Sequence, residues 1–173
     1  MKRLRATLGA VLAVSLAVSC GGKDFTALVE GGRDDLQRGD AEPAIAQFEK
    51  ALAMPREAEP TSLDEKARAR AMRDLVVAYV QLGRSEQAHA SFNKFVSAFP
   101  TRANLSAYTQ LVAECQSAKR YTDAVHFLQA AIDRFPEQSG PLVAKMDELA
   151  AQAAQAGDSS ALESLRSLGY VGD

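Results

Sequence analysis

The side chains able to do acid–base, nucleophilic or metal chemistry are few and scattered in this chain of 173 residues. His89 and His126 are its two histidines. Neither has a cysteine or a second histidine at the spacing that a metal ion requires. They read as exposed or half-buried structural histidines, with His89 on the solvated side of its helix, where removal should cost under about 0.5 kcal/mol. The two cysteines, Cys20 and Cys115, allow at most one bridge and imply no disulfide scaffold. Gly21-Gly22 and Gly31-Gly32 lack the residues that complete a phosphate-binding loop. The carboxylate pairs Asp64-Glu65 and Asp147-Glu148 are sequence neighbours, which suits solvated helix faces. The expectation is a protein that is not an enzyme and holds no cofactor or metal.

What the chain does carry is a spacing that recurs three times. Ala44, Ala88 and Ala124 each precede a large apolar residue, Phe48, Phe92 or Leu128, by four positions. On a helix the two then share one face. The small residue lets a neighbouring helix approach and the large one fills the space beside it, an exchange worth about 1.5–3 kcal/mol for each buried ring. Glycine or a polar turn precedes the helices, and Pro55, Pro100 and Pro136 follow them. One hairpin cannot hide such a face, so the copies must stack. An alanine-rich composition with 6% aromatic residues and no tryptophan fits a helical array better than a sheet.

These segments resemble the tetratricopeptide repeat, a helix–turn–helix unit of about 34 residues. The first copy, residues 25–58, matches through Gly32, Ala44, Phe48 and Ala51. The second, 69–102, matches through Leu75, Tyr79, Ala88, Phe92 and Pro100, and the third, 105–138, through Leu111, Ala124, Ala131 and Pro136. Asp35 and Cys115 stand where tyrosine is usual, and Phe95 replaces a small residue; Cys115 then reads as a buried, inert thiol. The interval from Ala44 to Ala88 is ten residues longer than one repeat. Extra helical turns before Ala69, opened by a Ser62…Glu65 capping box, account for much of it. Other expected helix starts are Asp24 and Thr101, both as N-caps. The fold class is therefore all-α, a three-repeat array with capping helices over residues 139–173.

The resemblance also implies a binding surface, since the first helix of each repeat in that family lines a concave groove for a peptide or helix. The matching positions are Arg33 and Gln37, then Arg70, Arg73, Val77 and Gln81, then Thr109, Ala113 and Gln116. Three arginines there favour an acidic or C-terminal segment of a partner protein; a solvated face without a ligand fits the same residues. The chaperone-type carboxylate clamp is not implied, because Val29, Arg33, Asp74 and Gln110 do not supply its lysine and asparagine. The tail around Leu168-Gly169-Tyr170-Val171 resembles a C-terminal segment of some bacterial sulfatases, but their nucleophile motif is lacking, so packing against the cap is expected.

The N-terminus makes a separate statement. A basic start, Met1-Lys2-Arg3-Leu4-Arg5, precedes a mostly apolar run over residues 6–18, too short to span a bilayer and suited to a signal peptide over 1–19. Ala17-Val18-Ser19-Cys20 resembles the lipobox of bacterial lipoproteins, with Ala17 in place of the usual leucine; ordinary secretion after Ala17-x-Ser19 is the alternative. Residues 20–24 would form a short tether. Without the three basic residues of the leader, 17 basic side chains face 22 acidic ones, a balance with no footprint for nucleic acid. The combined expectation is a lipid-anchored, periplasmic protein-interaction scaffold. The outer membrane is favoured because Gly21 is not the aspartate of inner-membrane retention, and the resemblance points to outer-membrane protein, pilus or secretion assembly. The rival expectation is a soluble secreted binder of a small molecule or glycan. If Cys20 is the anchor, Cys20→Ser abolishes palmitate labelling and moves the protein from the membrane to the soluble fraction. A soluble wild type with an unmodified residue 20 would reject the anchor.

Overall fold

The computed structural model describes residues 21–56 and 60–171. The signal peptide expected over residues 1–19, and the lipidation expected at Cys20, lie outside the described residues. Eight α-helices follow in order: α1 (Gly21–Arg38), α2 (Ala41–Ala53), α3 (Ser62–Gln81), α4 (Ser85–Ala98), α5 (Leu105–Ser117), α6 (Tyr121–Arg134), α7 (Ser139–Ala156) and α8 (Ser159–Ser167), with one 3₁₀ turn at Pro136–Gln138. No strand occurs among the described residues. α1 packs on α2, α3 on α4 and α5 on α6, and these hairpins stack through α2 on α3 and α3 on α5. α7 and α8 close the end against α6. The fold is an all-α, tetratricopeptide-like array with C-terminal capping helices.

The recurring small-to-large spacing forms the core. Ala44, Ala88 and Ala124 are wholly buried, as are Phe48 and Leu128, and Phe92 is nearly so. Phe92 meets Tyr108 of α5 and Phe127 of α6 edge-on, at ring-centroid distances of 5.0 and 4.8 Å, so it joins two successive hairpins. Phe48 lies against Gly32, where a Cβ would fall 2.8 Å from its ring. Only glycine leaves that notch open. Phe95, where the repeat usually has a small residue, is also buried. The Tyr79 hydroxyl donates to Glu49 Oε1 at 2.6 Å and ties α3 to α2.

The turns repeat in their hydrogen bonds. Gly39, Gly83, Lys119 and Gly157 all take left-handed backbone angles. Beside each, the next amide reaches back over the helix end: Asp40 N to Asp35 O, Arg84 N to Tyr79 O, Arg120 N to Cys115 O and Asp158 N to Ala153 O, at 2.8–2.9 Å. This is the Schellman closure of a helix. Lys119, at φ 56°, makes it without glycine.

Several helix starts differ from those expected. α1 begins at Gly21, so Asp24 sits within its first turn instead of capping it. α3 is capped one residue earlier than the Ser62…Glu65 pattern, by Thr61. Asp64 N donates to Thr61 Oγ1 at 3.2 Å and Thr61 N to Asp64 Oδ2 at 3.0 Å. That exchange satisfies two backbone donors at once and leaves Ser62 as the first helical residue. Asn104, not Thr101, caps α5, its Oδ1 accepting from Ala107 N at 3.1 Å. The residues before it turn back instead, with the amides of Arg102 and Ala103 both reaching Phe99 O at 2.9 Å. At 20 residues α3 outruns the 13 of α5, and its added N-terminal turns take up the long interval between the first two repeats.

Because Phe92 links two hairpins, Phe92→Ala should cost about 3–5 kcal/mol in urea unfolding, enough to unfold a marginal domain. Leu63→Ala, at a residue 75% exposed, should change stability by under about 0.5 kcal/mol. Equal losses at the two positions would contradict the packing described.

Candidate functional site

The first helices of the three hairpins, α1, α3 and α5, form one wall. An open groove of about 210 Å³ lies among them, lined by Arg33, Leu36 and Gln37 of α1, Arg70, Arg73, Asp74 and Val77 of α3, and Gln110, Leu111 and Glu114 of α5. Five of the residues expected to line a groove therefore meet in it: Arg33, Gln37, Arg70, Arg73 and Val77. The other four stand outside its lining. Gln81 and Ala113 are exposed elsewhere on α3 and α5. Thr109 turns its hydroxyl onto Ser106 O at 3.1 Å. Gln116 faces the cap, donating to Gln152 Oε1 at 2.9 Å. On α5 the groove is built instead by Gln110 and Glu114, one position along the helix from Thr109 and Ala113. That offset of about 100° follows from 3.6 residues per turn.

Asp74 organises this groove. Its buried carboxylate receives Arg73 at 3.1 Å, Arg33 at 3.5 Å and Arg70 at 3.9 Å. Arg73 also donates to Gln110 Oε1 at 3.0 Å, which couples α3 to α5. The three arginines are thus partly neutralised from within the chain. The i, i+4 spacing of Arg70 and Asp74 was the sequence signal for this pairing.

Below this groove lies a wider one of about 510 Å³, between α3 and the start of α5. Lys66, Arg70, Arg73 and Arg102 line it, together with Asn104, Ser106 and Gln110. Lys66 and Arg102 were not among the residues expected to bind.

A second polar cluster sits away from the grooves and corrects the expectation for His89. Asp123 of α6, only 1% exposed, accepts from Ser85 Oγ at 3.0 Å and faces Arg120 Nε at 3.4 Å. His89 Nε2 approaches its other oxygen at 3.1 Å, and neither of those two atoms has another partner. Arg120 also donates to Gly83 O at 3.3 Å, so the cluster binds the α3–α4 turn to the α5–α6 turn. His126 stacks on His89 with ring centroids 3.8 Å apart. His89 is therefore a half-buried tie between hairpins and not a residue of the solvated side. Burial works to raise the Asp123 pKa, but the contacts with His89, Ser85 and Arg120 outweigh it and hold the carboxyl below its usual 3.8. Partial burial, then the neighbouring His89, pull His126 below the usual 6.5 against the opposing effect of Asp123. Cys115 is wholly buried, and that burial raises its thiol far above the reactive range. Among the described residues, no group of three potential ligands stands together to hold a metal ion.

Residues 22–139 match the bacterial transcriptional activator domain, so the chain belongs to that family. The match spans α1 to the start of α7, the whole of the three hairpins. Comparison with curated proteins and with solved structures finds no match to either.

The Asp123 cluster has consequences for stability. His89→Ala leaves a buried carboxylate oxygen without its neighbour and should cost about 1–3 kcal/mol at neutral pH. The pH dependence has a defined sign. His126 resists protonation in the fold, so its stabilising effect is present above 6.5 and declines as pH falls from 6.5 toward the folded value. Asp123 contributes above 3.8 and is lost as pH falls through its lower folded pKa. Urea midpoints measured from pH 7 downward should fall in these two stages, and His126→Gln should flatten the first. An unchanged first stage in that variant would remove His126 from the account.

Proposed function

We propose that this chain is a protein-interaction scaffold that receives a segment of a partner protein along the wall of α1, α3 and α5. One observation carries the proposal: the first helices of three successive hairpins present open grooves of about 210 and 510 Å³, lined by side chains rich in hydrogen-bond donors. A stacked array supplies such a surface without moving parts, because each hairpin is held by its neighbours. We place the scaffold in the bacterial envelope, held by diacylglycerol on Cys20, whose two acyl chains give stable attachment where one would not. The lipobox-like Ala17-Val18-Ser19-Cys20 supports this placement. Among the described residues no helix is long and apolar enough to cross a membrane, so attachment would rest on the lipid. Outer-membrane protein, pilus or secretion assembly are the settings that suit such a scaffold.

Family membership favours a second reading, in which the array is the partner-binding module of a transcription-regulating assembly. Subcellular fractionation separates the two, since the first places the wild-type chain in membranes and the second in the cytosol. The scaffold itself is tested by a photocrosslinking amino acid. Placed at Gln110, which lines both grooves, it should give a discrete adduct in living cells. At Lys94, on the exposed side of α4, it should give none. Adducts at neither position, or equally at both, would overturn the groove as the binding surface.

A further inference from the structure

The concave wall divides into two parts of different charge. In the upper groove, three guanidinium groups face the carboxylates of Asp74 and Glu114, and the first is already shared among Arg33, Arg70 and Arg73. The lower groove is lined by four cations and by no described carboxylate; Arg70 and Arg73 are shared with the upper groove and reach Asp74, whereas Lys66 and Arg102 belong to the lower groove alone. Lys66, Arg70 and Arg73 occupy positions i, i+4 and i+7 of α3, one face of the helix over about 10 Å. Arg102 comes from the loop before α5. Lys66 and Arg102 form no ion pair among the described residues, and both are exposed. The excess is local, because the chain as a whole carries a net charge of −2. A cluster of like charges costs free energy in the unliganded state and is relieved by an anion that reaches all of its members.

We propose that this lower groove is the subsite for an acidic segment of the partner protein, with Lys66, Arg70, Arg73 and Arg102 holding two or more of its carboxylates. The inference rests on the scaffold reading above and adds the chemistry of the bound segment. Extended backbone places alternate side chains about 7 Å apart on one side, so two acidic residues separated by one other fall within the row of cations on α3. The guanidinium groups match carboxylates with paired N–H donors, and Asn104 and Ser106 add neutral polar atoms at the edge. Nucleic acid fits less well. Phe95, the aromatic residue of the lining, is 2% exposed and offers no ring face for a base.

Fluorescein-labelled hexaglutamate titrated into the full chain at low salt tests the subsite. Lys66→Gln with Arg102→Gln should weaken binding about tenfold or more while helical circular dichroism and Tm stay unchanged. Arg33→Gln, in the upper groove, should weaken it less than about twofold. Hexaglutamate that fails to bind wild type, equal losses in the two variants, or displacement by duplex DNA in preference to a second acidic peptide would each overturn the proposal. The Gln110 photocrosslink keeps the two levels apart. An adduct that persists unchanged in the Lys66/Arg102 variant leaves the scaffold standing and removes the acidic subsite. Loss of that adduct together with hexaglutamate binding supports both.

Discussion

Each hairpin of this array closes because an alanine with no exposed surface sits four residues before a large apolar side chain. At Ala44, Ala88 and Ala124 any larger group would push the packed helices apart, and Phe48, Phe92 and Leu128 would then face solvent instead of carbon. The same contact joins one hairpin to the next, as Phe92 does by meeting both Tyr108 and Phe127. Interiors packed to this density have no slack. The relative placement of α1, α3 and α5, and so the shape of the wall between them, follows from these few contacts.

Among the described residues three carboxylates are buried within this apolar frame, and each has a cation or donor against it. Asp35 bonds to Arg38 and Gln47 within the first hairpin. Asp74 gathers three arginines from α1 and α3. Asp123 joins Ser85, His89 and Arg120 across the second and third. A buried charge is tolerated only when it is paired and hydrogen-bonded, so these residues penalise any arrangement of the hairpins that separates them from their partners. They act less as a source of net stability than as a fix on register. Asp74 does this at the wall of α1, α3 and α5, where it partly neutralises Arg33 in the upper groove and Arg70 and Arg73, which line both grooves.

The family and the wall meet on one point. The match to the bacterial transcriptional activator domain covers the three hairpins and the beginning of the cap, which is the part that forms both grooves. α8 and the tail lie beyond it, with Tyr170 and Val171 packed back on the core as expected. The apolar N-terminal run and Cys20 precede it in the sequence.

Much of the fold was legible in the sequence alone. The alanine-to-aromatic spacing, the turn glycines at Gly39 and Gly83 and the prolines at 100 and 136 define helices and hairpins through interactions a few residues long, and such local patterns survive in one dimension. Helix starts were less secure, because Thr61…Asp64 and Ser62…Glu65 have the same spacing and only the closed geometry chooses between them. The site was legible on α1 and α3, where Arg33, Gln37, Arg70, Arg73 and Val77 converge. It was off by one position on α5, since the rotation of a helix about its axis is decided by what its far side packs against. Tyr108, Val112 and Cys115 of α5 are buried, and burying them turns Gln110 and Glu114, not Thr109 and Ala113, toward the groove. Pairings between distant segments left no local mark at all. His89 finds Asp123, and Lys66 faces Arg102, only when hairpins stack, because the distances that decide electrostatics are distances in space.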